Sequence, residues 1–263
     1  LIIWILFSVR YSDNKYFLFG TKFIIYPLLI MIFVFSYVSI VFDLTSIPIF
    51  SDAKIAVFLG IENNSYSCAD DNGNIYLYDI SSKRFKYDIK ISSPINSICF
   101  DDKNYMYVAG EQSEIFIFDL RQYRSCVKKI NDYGNFITNC MEISKDYQFL
   151  STGGKQGYVN LYKISDIIND LNDNVEPVKV YDNLTTSCDF VKFNKVNSML
   201  GMSSRWKKNA LRFANLDNYK VFPKFPSCKE HMKYPCCFDF NCDNTLVSIG
   251  NDEGKAYLFQ LNQ

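Results

Sequence analysis

Arg205, Trp206, Lys207 and Lys208 follow one another without a break, and Arg212 comes four positions later. Four cations around one indole can hold RNA phosphates, with counterion release and stacking both contributing. The same set suits an acidic protein partner, or an ordinary solvated loop whose Trp206 covers a neighbouring part of the fold. A second group, Cys228, His231, Cys236, Cys237 and Cys242, collects metal-capable side chains. Zinc asks for about four nitrogen or sulfur ligands at close, regular spacing. The spacing here is irregular, so a loop with buried thiols is expected and no metal site. Gly153-Gly-Lys-Gln-Gly157 looks like a phosphate loop but lacks its spacing and the Ser or Thr that must follow. It reads as a hairpin turn. His231 is the sole histidine, and neither a nucleophile elbow nor a phosphate loop is present. No catalytic residue and no cofactor is expected.

These residues lie between short apolar strands that recur. Five times a polar turn leads into a strand that reaches an aromatic or small residue and then a polar one. The five run Gly73 to Asp79, Ser113 to Asp119, Gly157 to Lys163, Asn209 to Asn215 and Gly254 to Gln260. Their closing residues fall 40, 44, 52 and 45 positions apart. A repeat of about 40–45 residues, each holding several short strands, marks a WD40-type β-propeller. Two more apolar runs precede each of these strands, as Ile95–Phe100 and Tyr105–Ala109 precede Ile115–Phe118. Asp, Asn, Gly and Ser fill the turns because they tolerate a left-handed backbone and cap it locally. Phe85–Ile91 and Val178–Asp182 are candidates for a fourth strand per blade. The expected architecture is all-β: an incomplete set of about five four-stranded blades over residues 54–263.

Residues 1–50 differ in character, with five charged side chains against 51 in the remaining 213 residues. Residues 23–42 carry no charge over a length that crosses a bilayer as a helix. Two readings stay open for this apolar leader. One is a membrane span, which would make a membrane-anchored WD40 interaction module. The other, which we favour, is a segment foreign to the folded unit. The chain begins at Leu1, and it leans throughout on Asn, Lys, Ile, Phe and Tyr, so translated non-coding sequence of an AT-rich genome would look the same. Basic and acidic residues balance at 28 each, which gives no global field toward nucleic acid or membrane. That balance argues against high RNA affinity by this domain alone. Eight basic residues do gather between Arg205 and Lys233. Nine cysteines, with no paired spacing and several inside apolar strands, suit a reducing compartment.

In letters the repeats are degenerate. The Trp of the Trp-Asp pair is replaced by Tyr78, Phe118, Tyr162, Ala214 and Phe259, and its Asp remains only at Asp79 and Asp119. The Gly-His dipeptide is absent. The His–Asp networks of well-matched repeats therefore cannot form, and the blades are expected to rest on packing. The fourth repeat is more specific. Asp182-Asn-Leu-Thr-Thr-Ser187, Phe190-Val-Lys-Phe-Asn194, the run from Met202 to Arg212, and Val221-Phe-Pro-Lys-Phe-Pro226 occur in that order. Together with Gly250-Asn-Asp-Glu-Gly-Lys-Ala256 and Asp119-Leu-Arg121, this resembles the eighteenth family in the series of U3 small-nucleolar-RNA-associated proteins, which are WD40 components of the small-subunit processome. The resemblance covers about residues 55–263. It implies a non-catalytic nucleolar scaffold without cofactor, whose partners are other WD40 propeller proteins, the U3 ribonucleoprotein and pre-ribosomal RNA. It makes Arg205, Trp206, Lys207, Lys208 and Arg212 the candidate RNA- or partner-binding residues.

Overall fold

A computed structural model describes residues 55–56, 65–70, 72–79, 81–82, 84–122, 126–169, 173–223, 225 and 232–261. The leader 1–50 and the span read over 23–42 lie outside these residues. Among the described residues no helix is long and apolar enough to cross a membrane.

Nearly everything described is antiparallel strand. The first sheet runs β1 (Ile55–Ala56), β2 (Ser65–Asp70), β3 (Asn74–Asp79) and β4 (Phe85–Lys90) in that order. The second runs β5 (Ile95–Phe100), β6 (Tyr105–Gly110), β7 (Glu114–Asp119) and β8 (Cys126–Asn131). The third comprises β9 (Thr138–Ile143), β10 (Phe149–Gly154), β11 (Val159–Lys163) and β12 (Lys179–Tyr181). The fourth holds β13 (Phe190–Phe193), β14 (Met199–Ser203), β15 (Leu211–Asn215) and β16 (Lys220–Val221). The fifth has three strands among the described residues, β17 (Pro235–Phe240), β18 (Leu246–Asn251) and β19 (Ala256–Gln260). The all-β blade architecture expected from the repeat is thus the one the chain forms. A short helix, α1 (Ile164–Asn169), intervenes between β11 and β12 and seats Ile164 and Ile167 in the core. This insertion accounts for the long interval of 52 before the fourth closing residue.

The sheets are held to one another by apolar clusters that lie between consecutive blades. Tyr107, Ile115 and Ile117 of the second pack with Met141, Leu150 and Tyr162 of the third. Val159 and Leu161 of the third meet Val191, Phe193 and Leu200 of the fourth. Leu211 and Phe213 of the fourth meet Phe238, Phe240 and Val247 of the fifth. The first blade shares a cluster with the second through Ile75, Leu77, Ile98 and Met106. A repeat that buries its faces only against neighbours needs this arrangement. No cluster joins the fifth sheet to the first among the described residues, so the array is unclosed there.

The turns explain why the repeat was legible. Between first and second strands, Asp101, Ser144, Asn194 and Asn241 each accept backbone N–H groups four or five residues on, at 2.8–3.0 Å. Three residues after each, Asn104, Tyr147, Asn197 and Asn244 take a left-handed backbone. Between second and third strands the left-handed residue is Gly73, Ser113, Gly157, Asn209 or Gly254, which opens each recurring motif. At Gly157 a Cβ would lie 2.5 Å from the Leu184 carbonyl oxygen. The glycine-rich run 153–157 is accordingly the end of β10 and its hairpin turn. The two surviving Asp of the Trp-Asp pair cap the next turn: Asp79 accepts Ser82 N–H at 2.8 Å, and Asp119 accepts Arg121 N–H at 2.9 Å.

Polar staples also cross between blades. Asn197 Oδ1 accepts Lys145 N–H at 2.8 Å and Asn244 Oδ1 accepts Lys195 N–H at 3.0 Å. Glu142 reaches from the third blade to accept Phe193 N–H at 2.7 Å. Burial pushes its carboxyl up to about 8, against the opposing effects of the Phe193 hydrogen bond, Lys192 and Lys145. The folded chain therefore keeps a proton that the unfolded chain sheds in the ordinary carboxylate range. This stabilisation is complete in acid and disappears as pH rises through about 8. Glu142→Gln keeps an acceptor for Phe193 and cannot ionise. Its melting temperature is expected to gain on the parent between about pH 5 and pH 8 and to level off above that. A difference that stays constant across that range in thermal melts would remove this account.

The expectation that the blades rest on packing alone fails in the third blade. Asp132, buried in the connection before β9, accepts five side-chain hydrogen bonds. Asn135 Nδ2 and Thr138 Oγ1 donate to its Oδ2, both at 2.8 Å. Thr152 Oγ1, Asn160 Nδ2 and Tyr162 Oη donate to its Oδ1 at 2.7, 2.8 and 2.9 Å. Tyr162 stands where the repeat has Trp, and its hydroxyl also accepts Tyr133 N–H at 2.8 Å. A histidine-free network has replaced the His–Asp one.

Candidate functional site

The first strands β5, β9, β13 and β17 touch one another in succession. In three of them the ladder skips one residue: Asn96, Asn139 and Cys236. Such a bulge re-aims its side chain. Asn96 Nδ2 donates across to the Thr138 carbonyl at 2.9 Å, and Asn139 Nδ2 donates to the Cys188 carbonyl at 3.3 Å and Ser187 Oγ at 2.6 Å. In the fourth blade the corresponding residue is Asp189, whose oxygens accept hydrogen bonds. Its carboxylate turns to its own blade instead. Oδ2 accepts Arg205 N–H at 3.0 Å, and Oδ1 accepts Trp206 Nε1–H at 3.3 Å with the Arg205 Nε at 3.7 Å.

Arg205, Trp206, Lys207 and Lys208 form the turn between β14 and β15, and all four are exposed. Trp206 keeps 67 % of its surface in water, so it does not cover the next blade. Lys207 Nζ donates to Thr185 Oγ1 at 2.8 Å, and Lys208 Nζ stands 5.9 Å from the Tyr234 ring centroid. Arg212 is not brought into this set as a free cation. Its guanidinium folds back to donate to the Leu211 and Asn209 carbonyls at 2.7 and 3.2 Å. Asp189 offsets the charge of Arg205, which leaves Lys207 and Lys208 as the cations the turn presents outward.

Beside this turn lies a cavity of about 510 Å³ lined by Asn96 and Asn139 from the first strands, by Asp189 just before β13, and by Glu111, Lys155 and Trp206 from the turns. Ile137, Thr186 and Ser187 complete it. Sequence reasoning found Trp206 and missed the rest. A usable signal existed: Asn96, Asn139 and Asp189 stand four residues before Phe100, Ile143 and Phe193, the last residues of their strands.

The cysteine group does not assemble. Cys228 and His231 lie outside the described residues. Cys237 and Cys242 are exposed and Cys236 is half-buried, which corrects the expectation of buried thiols. Among the described residues no three His, Cys, Asp or Glu side chains converge as metal ligands would.

No family model matches the chain. Curated proteins do resemble it. The U3 small nucleolar RNA-associated protein 18 homolog of Arabidopsis thaliana is 27 % identical over 202 residues, 76 % of this chain and 36 % of the relative. The Homo sapiens homolog is 25 % identical over 192 residues, 72 % of this chain and 34 % of the relative. U3 small nucleolar RNA-associated protein 18 of Saccharomyces cerevisiae is 25 % identical over 240 residues, 81 % of this chain and 40 % of the relative. The chain thus spans a third to two-fifths of the length of these relatives. The resemblance carried by the fourth repeat holds along most of the chain, which is similar to the U3 small nucleolar RNA-associated protein 18 group of plants, animals and fungi.

Proposed function

We propose that the chain is a non-catalytic scaffold in ribosome biogenesis, part of the small-subunit processome. It assembles in the nucleolus with the U3 ribonucleoprotein, pre-ribosomal RNA and other WD40 propeller proteins. The observation that carries this reading is its similarity, over 72 % or more of its length, to proteins named for association with U3 small nucleolar RNA. The fold supports it. Blades whose backbone is bonded within each sheet offer turn faces for docking, and the turn Arg205–Lys208 is the cationic part of one of them.

The test is to purify the tagged full-length protein from its source cells. U3 RNA and sister propeller proteins should co-purify, and the tag should mark a nucleolar focus. An endomembrane pattern without U3 RNA would sink the reading. Replacing Arg205, Lys207 and Lys208 together with Ala should cut recovery of pre-rRNA or a sister propeller by roughly threefold or more. The fold should survive, because these side chains are exposed. Unchanged recovery of both partners would clear the turn of a binding role.

A further inference from the structure

Four aromatic side chains stand in water on the turn face of the third and fourth blades: Tyr133 58 %, Phe136 77 %, Tyr158 39 % and Trp206 67 % exposed. Large apolar surface gathered on one face marks an interaction site. The segment carrying Tyr133 and Phe136 is firmly held. Tyr133 N–H is bonded to Tyr162 Oη, and the Tyr133 carbonyl accepts Asn160 Nδ2 at 2.7 Å, both within the Asp132 network. Phe136 N–H donates to Gln156 Oε1 at 3.1 Å, and Lys155 N–H to the Ile137 carbonyl at 2.9 Å. Phe136 is therefore fixed beside the turn that brings Lys155 to the cavity, with Trp206 at the same cavity.

The chemistry of that cavity selects among ligands. Glu111 and Asp189 line it, so acidic side chains and phosphates alike are kept out of it and the group that enters must be uncharged. Ile137 is the sole aliphatic residue lining it, so an aliphatic peptide side chain would meet few aliphatic contacts there. An unpaired nucleobase has both complements: a π-face for the indole and amino groups to donate to carboxylates. Its phosphates answer Lys155 and Lys207.

We propose that this face binds single-stranded RNA, with bases stacked on Trp206 and Phe136 and the backbone drawn along Lys155 and Lys207. The inference deepens the RNA side of the proposed function and rests on it for the presence of RNA. Bases bearing an exocyclic amine fit better than uracil, because the amine offers two N–H donors to acceptors such as Glu111 and Asp189 where uracil offers only N3–H. Ribose 2′-hydroxyls find partners in Asn139 and Ser187, which favours RNA over DNA. Balanced net charge keeps the affinity modest.

Fluorescence anisotropy on the purified full chain tests this with labelled oligo(C), oligo(U) and oligo(dC) of about twelve nucleotides, a length within a single-strand site. Oligo(C) should bind best, by roughly threefold over each of the others. Trp206→Ala and Phe136→Ala should each weaken it by roughly fivefold or more without shifting the melting temperature. Lys155→Ala should lower the salt slope by about 0.7. Absence of binding, or binding indifferent to both aromatic substitutions, overturns the proposal. Equal binding of oligo(dC) overturns the assignment to RNA, and tighter binding of a poly-glutamate peptide reassigns the face to protein. If oligonucleotide binding fails while U3 RNA still co-purifies from cells, this face is refuted and the processome reading stands. If oligonucleotides bind as expected and U3 RNA is absent from the purified complex, the reverse holds.

Discussion

Asp132→Ala should cost roughly 3–5 kcal/mol, because it takes the shared acceptor from several buried donors at once. Five donors from four structural positions converge on this carboxylate: Asn135 and Thr138 before and at the start of β9, Thr152 in β10, and Asn160 and Tyr162 in β11. Substitution by Ala takes this acceptor from all five, and an unmet buried donor costs about 1–3 kcal/mol. Some will find water, so the sum is far below five full penalties. For a domain of this size the melting temperature should fall by about 10 °C. Asp132→Asn keeps the shape but turns one acceptor into a donor facing other donors, and should cost about half as much. Urea titration of the three proteins gives the order. A loss under about 1 kcal/mol for Ala would mean the network is ornamental. Because the network also fixes Tyr133, amide exchange over residues 133–137 should quicken more than exchange in β6 or β7.

That network shows where the sequence was readable and where it was not. The repeat was visible because its turns obey local rules. A left-handed residue precedes every third strand, and an Asp, Ser or Asn caps every turn from first to second strand in blades two to five. Local rules leave local letters. The partners of Asp132 come from positions up to 30 residues away, and no spacing rule announces them. The absence of the Gly-His dipeptide led to the expectation of packing alone, yet the Tyr162 phenol that replaces the Trp of the repeat supplies a donor of its own. Strands β8 and β16 escaped notice for a related reason. They are outer strands, and β8 shows mostly exposed positions with Lys128, Lys129 and Asn131, so its apolar alternation is faint. The basic turn was found because charge is written in the sequence. Its companions at the cavity were missed, since their shared position four residues before the end of the strand takes on meaning only once Asn139 is seen at a bulge reaching Cys188 and Asp189 is seen bonded to Arg205.

Gly201→Val should be the most disruptive change at the junction of the fourth and fifth blades. Gly201 lies in β14 between Lys192 and Phe213 of its neighbouring strands. A Cβ there would sit 2.3 Å from Phe238 Cε2 and 2.9 Å from Phe213 Cε1. Glycine in a strand marks such a close approach. Neither ring has room to retreat. Phe238 is edge-on to Phe190 at 5.1 Å and to Phe213 at 5.9 Å, and Phe213 is flanked by Phe225 at 4.9 Å and Phe240 at 5.6 Å. Inserting a branched side chain into this aromatic layer should cost about 3 kcal/mol, the upper range for overpacking, less the roughly 0.5–1 kcal/mol that replacing a strand glycine returns. The damage should be local in direction. Phe238 belongs to β17, so the fifth blade must shift away, and amides of β17 to β19 should exchange faster while those of β5 to β8 keep their protection. Trimming the obstructing ring separates this cause from a general loss of strand quality. Phe238→Leu alone is expected to destabilise, yet combined with Gly201→Ala it should cost less than the sum of the two single changes, since the smaller side chain vacates the space the new methyl needs. Additive single effects in that cycle would show that the glycine is required by the backbone of β14 and not by the blade packed on it.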